Sequence, residues 1–214
     1  GNVAVGPEPL RSNTTGVNNI GIGSTALYAN TTGNNNQAIG QNGLYNNTTG
    51  SHNTAIGCNA LCSNTEGSQN TAIGPDALQK NTIGNYNVAV GRCALKENTE
   101  GLNNTAIGYL PLCLNTTGGC NTAIGNEVLM CNTTGDLNIA VGSLAMYANT
   151  TGCDNTALGN RALQSNTTGG CNTAIGPYAL RDSLSGCHNF AAGESALYGN
   201  WGGCHNIAIG CKTL

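Results

Sequence analysis

Residues 53–74 read NTAIGCNALCSNTEGSQNTAIG: one motif, a spacer, and the same motif again 17 residues later. Followed outward in both directions, its Asn recurs at 2, 19, 36, 53, 70, 87, 104, 121, 138, 155, 172, 189 and 206, without an insertion or deletion. A fixed period of this size is the signature of a solenoid, in which each repeat forms one coil stacked on the next. The period predicts an all-β protein, a parallel β-solenoid (β-helix or β-roll) of about twelve and a half coils, with room for a short helical turn in each. Because the period never breaks, residues 1–214 read as a single solenoid domain. At ~4.8 Å per hydrogen-bonded coil, the stack is expected to be about 60 Å long.

Composition narrows the function classes. Charged residues are 8% of the chain, the net charge is −3, and no Lys/Arg run exists. A nucleic-acid or anionic-membrane surface therefore has no electrostatic support. No apolar run approaches the ~20 residues of a membrane helix, so no membrane insertion is expected. Low charge with abundant Asn, Thr and Gly is also a disorder composition, but the periodic Ile, Val, Leu and Ala argue for a packed fold.

Numbering each coil from its first Asn gives the consensus N-T-A-I-G-x-x-A-L-x-x-N-T-T-G-x-x. Slot 2 takes Thr, Gln or apolar residues such as Val3, Ile20, Ile139, Phe190 and Ile207, and slot 4 takes Ile, Val, Leu or Ala. The two share parity on a strand, and their β-branched character predicts an inward face, with the Ala of slot 3 outward. Slot 9 is Leu in every copy but Met146 and reads as core. Pro9 and Pro111 at slot 8 argue against a strand there and for a turn or short helical segment. Leu184 and Trp201 replace Thr at slot 13, which predicts an inward or half-buried position; Glu66 and Glu100 predict that slot 14 is exposed. Slots 5 and 15 are Gly in every copy, which implies positive φ or a tight corner. Two corners predict a flattened coil with a short strand on each side.

Asn occupies slot 1 in every copy and slot 12 in all but Ser183. At slot 12 the N-x-[ST] glycosylation pattern is met by Asn13, Asn30, Asn47, Asn115, Asn132, Asn149 and Asn166, and Asn46 and Asn103 also match. Asn64, Asn81, Asn98 and Asn200 stay Asn without a sequon, and slot 1 never forms one. The shared feature is the amide, and stacked amides can hydrogen-bond from coil to coil as a ladder. A ladder and a glycan on the same atom exclude each other.

The chain has 11 Cys, an odd number, so at least one is free or bonded to another chain. Residues one coil apart fall within disulfide reach. Cys113 with Cys131, Cys153 with Cys171, and Cys187 with Cys204 fit that rule, with Cys58 and Cys62 a weaker pair; such staples imply an oxidising setting. His52, His188 and His205 share slot 17, and Gly-Cys-His-Asn at 186–189 recurs at 203–206. Two Cys and two His could hold zinc, but the spacing matches no zinc motif, and a disulfide with two solvent-facing imidazoles explains it as well. No cofactor or metal is expected. An active site needs a unique constellation of groups, and this chain offers no unusual segment to hold one, so no enzyme activity is expected.

The N-T-A-I-G-x-x-A-L unit resembles the head repeats of trimeric autotransporter adhesins, whose S-V-A-I-G-x-x-A units coil into a parallel β-roll. It is also similar to repeats of phage and algal-virus fibre proteins. This repeat is longer, by an N-T-T-G segment. The resemblance implies an extracellular protein at a cell or virion surface and carries over no binding residue. Three roles follow. The chain begins directly in a coil and stops at Leu214 in slot 9, which reads as a solenoid uncapped at both ends. Head-to-tail stacking into a homopolymeric filament is expected, with Gly1, Asn2, Val3, Val5, Ile207, Ile209, Cys211 and Leu214 at the joining ends. A carbohydrate-binding adhesin or phage-type fibre would use Tyr28, Tyr45, Tyr147 and Tyr198, which share slot 10. An ice-binding protein would use the Thr rows of slots 13 and 14, which Glu66, Ile83 and Glu100 interrupt.

Overall fold

The computed structural model describes residues 1–213. The chain divides into two compact units, Gly1–Asn104 and Thr105–Leu214. The first carries β1 (Val3–Val5), β2 (Ile20–Ile22), β3 (Gln37–Ile39), β4 (Thr54–Ile56), β5 (Thr71–Ile73) and β6 (Val88–Val90). The second carries β7 (Thr105–Tyr109), β8 (Thr122–Asn126), β9 (Ile139–Val141), β10 (Thr156–Leu158), β11 (Thr173–Ile175), β12 (Phe190–Ala192) and β13 (Ile207–Ile209). Within each unit every strand pairs in parallel with the next, and equal slots stand opposite one another, as Thr54 opposite Thr71 and Thr105 opposite Thr122. Each unit is thus a parallel β-solenoid with one strand per coil.

The inward face is the reverse of the one expected. Ala38, Ala55, Ala72, Ala123 and Ala174 at slot 3 are fully buried, whereas Ile56 and Ile124 at slot 4 stay 37% exposed. The reason is the thinness of the coil. Slot 3 lies directly against slots 8 and 9: a Cβ added to Gly21 would lie 3.3 Å from Pro9 Cβ, and one added to Gly43 would lie 3.3 Å from Ala38 Cβ. A branched side chain has no room there, so Leu and its neighbouring Ala fill the core from the opposite wall. Leu27, Leu44, Leu61, Leu78 and Leu95 in the first unit are fully buried, as are Leu112, Leu129, Met146, Leu163 and Leu180 in the second. The Thr and Ile of slots 2 and 4 form two outward rows without a single charged residue.

The opposite wall is not a strand, and no helix occurs among the described residues. Slots 7, 9 and 17 hold non-glycine residues at positive φ in coil after coil, for example Asn59 (56°), Leu61 (51°) and Gln69 (59°). With the slot 5 glycines at φ between 121° and 141°, these reversals curl the chain through tight turns. The turns close with bonds such as Asn64 N–H to the Leu61 carbonyl at 3.1 Å. They still bond from coil to coil: Leu61 N donates to Ala77 O at 3.0 Å and Thr65 N to Thr82 O at 3.0 Å. Left-handed Leu costs roughly 1–2 kcal/mol per coil, and these inter-coil bonds and the buried Leu side chain offset it.

Candidate functional site: the coil-to-coil interface

Two amide ladders run through each unit. At slot 1, the backbone N and Nδ2 of Asn53 both donate to Asn36 Oδ1, at 3.0 and 3.2 Å, and Nδ2 also donates to Gly67 O at 2.8 Å. At slot 12, Asn64 Nδ2 donates to Asn47 Oδ1 at 2.7 Å and to the same Gly67 O at 2.9 Å. The slot 15 carbonyl is therefore the node on which both ladders converge. The second unit repeats the arrangement: Asn121 and Asn132 meet at Gly135 O, at 2.8 and 3.0 Å. Slot 15 is Gly for want of space rather than for its φ. A Cβ on Gly135 would lie 2.5 Å from both Asn132 Oδ1 and Gly152 O.

The ladder occupies the atoms that glycosylation would need. Asn30, Asn47, Asn115, Asn132, Asn149 and Asn166 are fully buried, and Asn13 is half-buried with its Nδ2 on Gly16 O at 3.0 Å. A glycan at the buried six and this fold exclude one another. Asn46 and Asn103, in contrast, are exposed. The ladder is broken at Ser183, whose Oγ and the facing Asn166 Oδ1 are both buried without a hydrogen-bond partner.

Thr at slot 13 is half-buried in most coils, within the expectation, and its hydroxyl bonds the next coil, as Thr48 Oγ1 to Thr65 O at 3.0 Å. Leu184 and Trp201, from which that expectation was read, are instead exposed, Trp201 at 71%. The inter-coil bond engages the slot 13 hydroxyl, withdrawing a donor from the Thr rows on which ice binding was expected to rest.

Val3 and Val5 lie on β1, paired with β2 in register; Ile207 and Ile209 lie on β13, paired with β12. The Gly1 amino group donates to Asn18 Oδ1 at 3.1 Å, and Asn2 Nδ2 to Gly16 O at 2.8 Å. Cys211 is exposed. Leu214 lies outside the described residues.

Of the expected cysteine pairs, Cys187 and Cys204 are in contact, their sulfurs 3.0 Å apart as thiols. The other two pairs combine neighbouring slots rather than equal ones. Cys171 N bonds Cys153 O at 3.0 Å, yet Cys153 Sγ turns the other way, to Asp136 N at 3.3 Å. Cys131 is a half-buried thiol held above its usual pKa range by desolvation, while Cys113 is buried. Cys62 is likewise raised, by burial and then by Cys58 and Asp76 nearby. His188 and His205 stack at 4.9 Å, and no group of three or more His, Cys, Asp or Glu that could hold a metal ion occurs among the described residues.

The slot 10 tyrosines are half-buried on the turn wall. In the first unit Tyr28 and Tyr45 stack at 5.0 Å, with Arg11 over Tyr28. In the second unit Tyr147, Arg161, Gln164 and Arg181 line an open groove of about 570 Å³, and Arg181 sits 4.5 Å over the Tyr198 ring. No helix among the described residues is long and apolar enough to cross a membrane. Compared with known proteins, the chain matches no family model, and no curated protein is significantly similar to it.

Proposed function

We propose that this is an extracellular structural protein whose solenoids join end to end into a homopolymeric filament. The observation that carries the reading is the interface between neighbouring coils, which repeats slot for slot along each unit. Each coil offers the same donors and acceptors on a given face: Gln37 N gives to Asn53 O at 2.8 Å, while Gly57 N gives back to Ile39 O at 2.8 Å. A coil of a second chain can make the same bonds, and a translational, heterologous contact builds an open fibre rather than a closed ring. The resemblance to surface-adhesin and viral-fibre repeats supports the extracellular placement. Sedimentation of the full-length protein over a wide concentration range tests the reading. Polymers growing with concentration are expected, and a monodisperse monomer throughout would refute it.

A second reading, a carbohydrate-binding adhesin, is favoured by the groove at Tyr147, Arg161, Gln164 and Arg181, where aromatic and guanidinium groups converge in a chain poor in charge. Loss of glycan binding in Tyr147→Ala would support it; unchanged binding would remove the groove from the account.

A further inference from the structure

Cys187 and Cys204 occupy the same slot of adjacent coils, held together by His205 N donating to Cys187 O at 3.0 Å. Their sulfurs are 3.0 Å apart, and Cys187 N donates to Cys204 Sγ at 3.2 Å. Cys204 is exposed and Cys187 half-buried. The two sulfurs are thus unequal. Cys204 receives hydrogen bonds from both the thiol and the backbone of Cys187, which hold it below its ordinary pKa; the same thiol bond holds Cys187 above its own. An accessible sulfur biased toward its thiolate, with a second thiol in contact, is the arrangement that thiol–disulfide exchange needs.

We propose that Cys187 and Cys204 form a reversible exchange site that reacts with low-molecular-weight disulfides, Cys204 attacking and Cys187 resolving. In the first step the Cys204 thiolate bonds one sulfur of the disulfide; the original S–S bond breaks, and a small thiolate leaves and takes up the proton Cys204 had released. In the second, Cys187 loses its proton and bonds Cys204 Sγ; the mixed disulfide breaks, and the second small thiolate leaves with that proton. The protein thiols are oxidised by two electrons, and one small disulfide is reduced to two thiols. The product links neighbouring coils through exposed sulfurs, the kind of disulfide that stays reducible.

Peptide mass mapping of the full-length protein, incubated with glutathione disulfide and then alkylated, tests the site. A Cys187–Cys204 crosslink about 2 Da lighter than the dithiol pair is expected to form first and to vanish with excess reduced glutathione. In Cys187→Ser the reaction should stop with glutathione on Cys204. In Cys204→Ser, Cys187 should be modified at least about tenfold more slowly than Cys204 in the partner variant. Crosslinks forming first at other cysteines, or equal modification of the two single variants, would overturn the assignment. Both side chains lie at the surface, and circular dichroism of each variant serves as the check that it folds.

Discussion

A buried amide that donates to two acceptors and accepts from the next coil is expensive to lose. Replacing Asn81 by Ala removes its bonds to Asn64 Oδ1 and Gly84 O and takes one acceptor from Asn98 Nδ2, which keeps the Gly101 carbonyl. Each orphaned buried group costs about 1–3 kcal/mol, so denaturant unfolding should show a large loss of stability. The chain's own exception predicts the opposite. Ser183→Asn supplies a donor to the unpartnered Asn166 Oδ1, and a gain of about 1 kcal/mol is expected in the same measurement. Gly135→Ala should be among the most damaging single-methyl additions. The atoms its Cβ would meet are a backbone carbonyl and a ladder oxygen, neither free to move, and a loss of about 1–3 kcal/mol is expected in thermal unfolding. The ladder was legible in the sequence because Asn persists where every other requirement varies; the slot 15 Gly read only as positive φ or a tight corner, and its carbonyl as the node was not legible. The partners of each amide were not legible either, because they lie one coil away and depend on turn geometry.

At the scale of the element, a three-residue strand has one inward position, and the structure gives it to Ala. Ala72→Val should therefore destabilise the fold by about 1–3 kcal/mol through overpacking. Ile73→Thr, on the exposed neighbour, should shift stability by less than about 0.5 kcal/mol. Equilibrium unfolding of the two variants decides the parity of the strand, and the reverse order would restore the inward Ile. The sequence misleads here because a β-branched strand face reads as core, while an apolar surface residue is ordinary in itself. What decides the matter is the depth of the coil, set by Leu at slot 9 and its flanking turns. The turn wall was hidden for a related reason. Thr25, Leu27 and Tyr178 at positive φ contradict their residue preferences, and only the bonds between coils reveal why they are tolerated.

For the whole molecule, the period of Asn residues foretold a solenoid, and each compact unit is one. Function was less legible, because a repeat spreads identical chemistry over every coil and concentrates it nowhere. Departures from the repeat mark the local sites: Ser183, the Cys187–Cys204 pair and the Arg161–Arg181 groove. The repeat itself supports assembly, since the face joining coil to coil within a chain is the face that would join chain to chain. Cryo-electron microscopy of the native, unreduced full-length protein tests that claim most directly. The account predicts fibres whose strands lie across the fibre axis, with a layer spacing of about 4.8 Å continuing unbroken from one chain to the next. Separate particles at every concentration, with no continuous layer line, would contradict it.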